Sequence, residues 1–245
     1  MARVVYVVGG YIAMRIVVSH LTRMQPGYIC VAGIEPESGA HIRPTQRGRL
    51  PRALLRSEGG PFDIGGLVDL SDVEPVGVAP EIEDHAFHHW AARYLETLTP
   101  DAFWKLNQQV AQITLGAIFG PDLEVTGRSL SLAPGQGRAS LGCLIPTRQP
   151  RLALQGASLR MLVTDGVTDL SLPVTDLRFY ESDHKTIRLR AVANISQRLA
   201  AGARAILAVG VSRPFQKDDD SQPRHWLQVN NIHLEDQPIW QEISW

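Results

Sequence analysis

Five arginines and no acid fall within the stretch Arg43-Pro44-Thr45-Gln46-Arg47-Gly48-Arg49-Leu50-Pro51-Arg52-Ala53-Leu54-Leu55-Arg56. A guanidinium is planar, permanently charged and able to hold two phosphate oxygens at once, so such a run suits a polyanion backbone. Its glycine and prolines keep it on a loop after a strand hairpin, where long side chains reach outward. The competing reading is a solvated loop neutralised by Glu58, Glu35 or Glu37. Arg43, Arg47, Arg49 and Arg52 are the first candidate contacts. A second set lies in the C-terminal half: Arg178, Tyr180, Arg188, Arg190, Arg213, Phe215 and Trp226. There arginines would track phosphates while aromatics stack on bases, each stack contributing about 1–3 kcal/mol. Phe179 and Trp226 fit a core or interface role equally well.

Other constellations carry less. Gly135-Gln136-Gly137-Arg138-Ala139-Ser140-Leu141-Gly142 lacks the Gly-Lys-Ser/Thr ending of a phosphate loop and has no long helix behind it, so a flexible turn is expected. His85 and His89 would share one face of a helix, with His88 beside them, which raises the alternative of a metal-dependent hydrolase. Ala86 follows His85, however, where a metalloprotease helix needs its glutamate, and the expectation is no metal and no cofactor. No nucleophile elbow, kinase motif set or Ser-His-Asp order stands out, which lowers the prospects of an enzyme. The Trp residues in Pro238-Ile239-Trp240 and Ile243-Ser244-Trp245 motivate a different alternative, an adaptor that anchors its tail in a partner's pocket.

Bulk composition bounds these readings. The chain has 245 residues, 44% hydrophobic and 20% charged, enough for a substantial core and two domains of ordinary size. The net charge of −1 supplies no global attraction to nucleic acid, so a polyanion site must arise from local clustering. Basic residues comprise 21 Arg and 3 Lys, which favours planar bidentate contacts. Cys30 and Cys143 lie far apart in apolar surroundings and read as core residues of a reducing cytoplasm. The apolar run Val4 to Met14 is too short to span a membrane and reads as a first strand with a Gly9-Gly10 turn, or as an extension.

The elements that must position these residues follow from hydrophobic periodicity. Residues 1–83 are strand-like, with turns at Pro26-Gly27 and Glu37-Ser38-Gly39, and suggest a first barrel. Residues 84–121 are expected to form two helices that bridge two β modules. The first is capped by Asp84, with Phe87, Trp90, Ala91, Tyr94 and Leu98 as its apolar stripe; the second opens at Thr99-Pro100-Asp101. Residues 122–157, rich in Gly, Pro and Ser, read as a connection with short strands. Residues 158–235 then give five strands, at Leu159 to Thr164, Leu170 to Val174, Thr186 to Val192, Ala205 to Val211 and His225 to Leu234. A short helix, Asn194 to Ala201, falls between the third and fourth. Asp165-Gly166 would turn the first hairpin. The expected fold is mainly β: two OB-like Greek-key barrels bridged by a helical segment, with a tail at 236–245.

Particular residues also carry a family resemblance. Cys30-Val31-Ala32-Gly33-Ile34 followed by His41-Ile42-Arg43-Pro44-Thr45, then Leu172-Pro173-Val174-Thr175-Asp176-Leu177-Arg178-Phe179, and Val211-Ser212-Arg213-Pro214-Phe215 before His225-Trp226-Leu227, resemble the dual OB-containing domain family. The similarity covers most of residues 16–233. It implies two OB folds and recognition of nucleic acid or a nucleotide, often within prokaryotic conflict systems, and it supplies no catalytic residues. His41 stands where the family's hairpin would carry an aromatic, and residues 1–15 look like an addition. The function expected is therefore non-catalytic binding of a single-stranded nucleic acid or a nucleotide in the cytoplasm. The chain would serve as a sensor or accessory subunit with a possible protein partner and no membrane role.

Overall fold

Buried residues run without a break from Ile16 to Thr22 along the first strand, β1 (Ile12–Arg23), which is therefore covered on both faces. One face fills a barrel and the other meets the second half of the chain. The computed structural model describes residues 12–126, 129–164, 166, 168–217 and 222–241. The Gly9-Gly10 turn, Asp165, Asp218 to Asp220 and Trp245 lie outside them.

β1 pairs with β2 (Tyr28–Ile34), and β2 pairs with both β3 (His41–Thr45) and the short β4 (Leu50–Pro51). β5 (Gly66–Pro75) returns to β1, while β6 (Asp84–Ala86) is antiparallel to β5 and parallel to β3. The ring β1-β2-β3-β6-β5-β1 is closed and has the strand order of an OB barrel. Ile29, Val31, Phe62, Val68 and Leu70 fill it.

The segment after β6 departs from expectation. No helix starts at Asp84, which instead opens β6; Trp90 is exposed, and β7 (Arg93–Thr97) pairs along β5. A helical stripe exists in the sequence, but an edge strand here satisfies backbone groups of β5 that a helix would leave open. The second expected helix does form as α1 (Pro100–Val110), with the Thr99 side chain accepting from the Ala102 N–H and Pro100 at the first position. α2 (Leu115–Phe119) follows, and Gly120 takes a positive φ at its end.

Residues 122–157 belong to the second sheet system. β8 (Glu124–Thr126) and β9 (Ser129–Leu132) form a hairpin whose second strand pairs with the start of the last strand. β10 (Leu141–Leu144) and β11 (Arg151–Gln155) act as two halves of one first strand, interrupted at 145–150. β11 pairs with β12 (Ser158–Thr164) and β12 with β13 (Asp169–Pro173); beyond α3 (Leu189–Ala200), β14 (Ala205–Val211) pairs with β10 and with β15 (His225–Leu234). Val174, just past β13, bridges in parallel to Val229 on β15 and closes this ring too. The strand expected at Thr186 to Val192 is absent. Leu189 is exposed, while Ala191, Val192, Ile195 and Leu199 share the buried face of α3. A short alternating run of helix-forming residues does not distinguish the two periods, and packing onto the barrel selects the helix. The strands expected as first and second are thus the second and third, and the true first strand sits in what read as a connection.

The two rings meet along a polar seam between β1 and β15. Two β-bulges make it: the registers slip at Ser19 in β1 and at Asn230 in β15, so consecutive side chains turn toward the partner barrel. Asn231 Oδ1 accepts from the Leu21 N–H (2.6 Å) while its amide nitrogen donates to Leu21 O (3.3 Å), imitating a strand partner. His233 Nε2 donates to Ser19 O at 3.0 Å, and its ring meets Phe103 edge-on at 4.9 Å. Asp176, fully buried, accepts from the Arg178 guanidinium and from the Ile232 N–H. The tail segment is part of this seam. Trp240 is only 3% exposed, its ring lies under the Arg178 guanidinium and beside Phe179, and Nε1 donates to Ile232 O. The expected partner anchor at Trp240 is thus an internal one.

Replacing Asn231 by Ala strands a buried N–H and a buried carbonyl of Leu21. A loss of stability on the order of 3 kcal/mol is expected, measured by urea unfolding. The seam also predicts a pH response. Burial holds His233 down to about 4, against 6.5 in an unfolded chain. Its folded state declines a proton that the unfolded state accepts, so stability is complete above pH 6.5 and falls as pH drops toward 4, by about 1.4 kcal/mol per pH unit from this group. Unfolding curves across that range should show the slope, and His233→Gln should reduce it by this group's share, with His20 and His41, whose pKa values burial also lowers, contributing the rest.

Candidate nucleic-acid interface

Beside the seam the barrels leave a cleft of about 660 Å³. Arg23 at the end of β1, Arg43 in β3 and Arg49 ahead of β4 line it from the first barrel. Arg213 and Phe215, on the loop after β14, and Gln228 and Asn230 on β15 line it from the second. Residues far apart in sequence are thereby gathered because both rings present their loop ends to the same space.

Asp84 organises the arginines. One of its oxygens accepts from Arg43 Nε and the other from Arg213 Nη2 at 2.6 Å, while Arg213 Nη1 lies 2.9 Å from Glu81 Oε1. Arg43 is 5% exposed, so this pairing offsets the cost of burying it. Among the described residues four guanidiniums meet two carboxylates there. Arg23 is held by donating to His184 O at 2.8 Å and by lying 4.1 Å from the centre of the Tyr180 ring. Arg43 Nη2 and Arg23 Nε are buried with no hydrogen-bond partner among the described residues. A buried donor left open in this way costs about 1–3 kcal/mol. Phe215 is 48% exposed, and its ring leans toward Trp226, 6.4 Å between centroids, as a flat surface at the cleft edge.

The loop that carries Glu81 is fixed from below. Glu83 is buried and accepts from the Ser140 N–H (2.9 Å), the Ser140 hydroxyl (2.6 Å) and the Leu141 N–H (3.2 Å), all in the second barrel. Burial raises its pKa, and those donors oppose the rise. Replacing Glu83 by Ala leaves three buried donors open and should cost on the order of 3 kcal/mol, read as a lowered midpoint in thermal unfolding.

Of the residues singled out in the sequence, Arg43, Arg49, Arg213 and Phe215 line the cleft together. Arg47 is exposed beside it, on the same loop. Others are engaged inside the protein. Arg52 pairs with Glu58, Arg188 with Glu181, and Arg178 with Asp176 and two backbone carbonyls; the Tyr180 hydroxyl donates to Val174 O. Trp226 is buried, with Nε1 donating to Phe215 O and Lys217 over its ring. Arg190 is exposed on α3 and does not line the cleft. Arg188 and Arg190 were expected on a strand facing outward; the helix takes both away from that arrangement. The histidines also separate: His85 contacts Glu83 O, His88 stacks on Trp90, and His89 bonds to Gln46 Oε1, without a shared helix face. At the glycine-rich turn, Gly137 N–H donates to the Asp122 carboxylate, so an acid stands where a phosphate would. Sequence reasoning missed Arg23, whose only signal was its place at a strand end, and Gln228 and Asn230, hidden in an apolar strand.

No protein-family model matches the chain, and no curated protein matches it. Among solved structures it is similar to the p204 HINb domain (TM-score 0.35, 9% identity, 93% of this chain and 98% of that one) and the tetrameric p202 HIN2 (0.31, 9%, 91% and 91%). A third is the Ifi202 HINa domain in complex with 20bp dsDNA (0.35, 8%, 92% and 97%). Superpositions of this extent define no common fold, and the two-barrel description rests on the strand ladders. Fold and cleft together define a mainly β protein of two OB-type rings with an arginine-lined space between them. Among the described residues no helix is long and apolar enough to cross a membrane.

Proposed function

We propose that the chain is a non-catalytic binder of a nucleotide unit, free or within a single-stranded nucleic acid, and that the phosphate enters the inter-barrel cleft. The observation that carries this reading is the pair of buried guanidinium nitrogens, on Arg43 and Arg23, that face no acceptor among the described residues in an arginine-lined cleft. A volume of about 660 Å³ is of the size that small-ligand sites use. Phe215 supplies a surface on which a base stacks, with Gln228, Asn230 and Gln46 as polar groups for its edge. The role of sensor or accessory subunit in a prokaryotic defence assembly, in the cytoplasm, is supported by the family resemblance alone.

Fluorescence anisotropy with labelled single-stranded DNA, single-stranded RNA and nucleotides, at two salt concentrations, tests the proposal. Phosphate contacts predict affinity falling with salt, with a slope of roughly −0.7 per phosphate engaged. Arg49→Ala should reduce that slope by about one contact, and Phe215→Ala should weaken binding by about 1–3 kcal/mol with the slope unchanged. Arg190→Ala, remote from the cleft, should do neither. Absence of binding to every probe overturns the proposal, as does an Arg190→Ala defect equal to that of Arg49→Ala.

A further inference from the structure

His20, His41 and Cys143 come together from three strands of two barrels. His20 follows the bulge of β1, His41 opens β3 and Cys143 lies in β10; one donor atom from each falls within 4.8 Å of the others. His41 Nε2 and Cys143 Sγ are 3.7 Å apart. Tetrahedral zinc, with bonds of about 2.0–2.1 Å to nitrogen and about 2.3 Å to sulfur, places such atoms roughly 3.6 Å apart. The second, independent observation is His20 itself. It is 1% exposed, and its Nε2 has no partner among the described residues, an arrangement that costs free energy unless something binds there.

We propose that these three side chains form a zinc site that clamps the first barrel to the second. One thiolate and two imidazoles are a ligand set suited to zinc rather than to a hard cation. The Asn230 amide, 3.2 Å from His20 Nδ1, fixes that ring from behind. The Cys143 thiol is oriented by Asn107 Oδ1, 3.6 Å from Sγ and held there because Nδ2 donates to Phe103 O. Binding converts the Cys143 thiol to a thiolate, and its proton passes to solvent. The site does not rest on the ligand proposed for the cleft.

The full chain, expressed in zinc-supplemented medium and purified without chelator, should carry stoichiometric zinc by mass spectrometry of its metals. Refolding it with cobalt(II) should produce a thiolate-to-cobalt charge-transfer band and the visible bands of tetrahedral coordination. Cys143→Ser should lose the band and bind zinc at least tenfold more weakly, while His88→Gln retains both. Zinc-free protein together with an absent cobalt band overturns the site, as does undiminished zinc in a folded Cys143→Ser chain. If Cys143→Ser does not fold, the cobalt band of the unaltered chain decides.

Discussion

Two closed sheets placed face to face remove polar groups from water, and this chain pairs the backbone groups along the join with side chains that reach to them, while His20 Nε2 and Arg43 Nη2 keep no partner among the described residues. Asn231 completes Leu21, His233 reaches Ser19 O and Glu83 collects three donors of the other ring. Each is a directional bond in a dry place, where a lost partner costs more than the bond contributes. The relative position of the barrels follows from those bonds. So does the shape of the cleft, because its walls belong to different rings.

The cleft shows the same logic with net charges. Asp84 serves two arginines from opposite barrels, so the acid that makes Arg43 tolerable in the interior also holds Arg213 in place. The acids do not cancel the site. They position an arginine-rich surface on which Arg43 Nη2 and Arg23 Nε have no acceptor among the described residues.

Much of this was legible in the sequence and some was not, for definable reasons. The mainly β class, α1 with its Thr99 cap, the strands at 205–211 and 225–234, and the Arg-rich loop all follow from local signals. The second barrel's first strand was hidden because it is broken at 145–150 and framed by glycines and prolines. Thr186 to Val192 alternated too briefly to exclude a helix, and the stripe at Phe87 to Leu98 yielded to the hydrogen-bonding needs of β5. Individual arginines could not be sorted from composition. Arg178 and Arg213 look equivalent as sequence, yet one is spent on Asp176 and two carbonyls while the other faces the cleft. Bulges at Ser19 and Asn230, which aim the seam residues, leave no signature in side-chain type.

The bond between Leu21 and Asn231 spans 210 positions of sequence. The Glu83 to Ser140 bond joins the same two rings across only 57 positions, so near and distant parts of the chain are tied at one join. The arginine-lined space belongs to neither ring and exists only where that join holds them together.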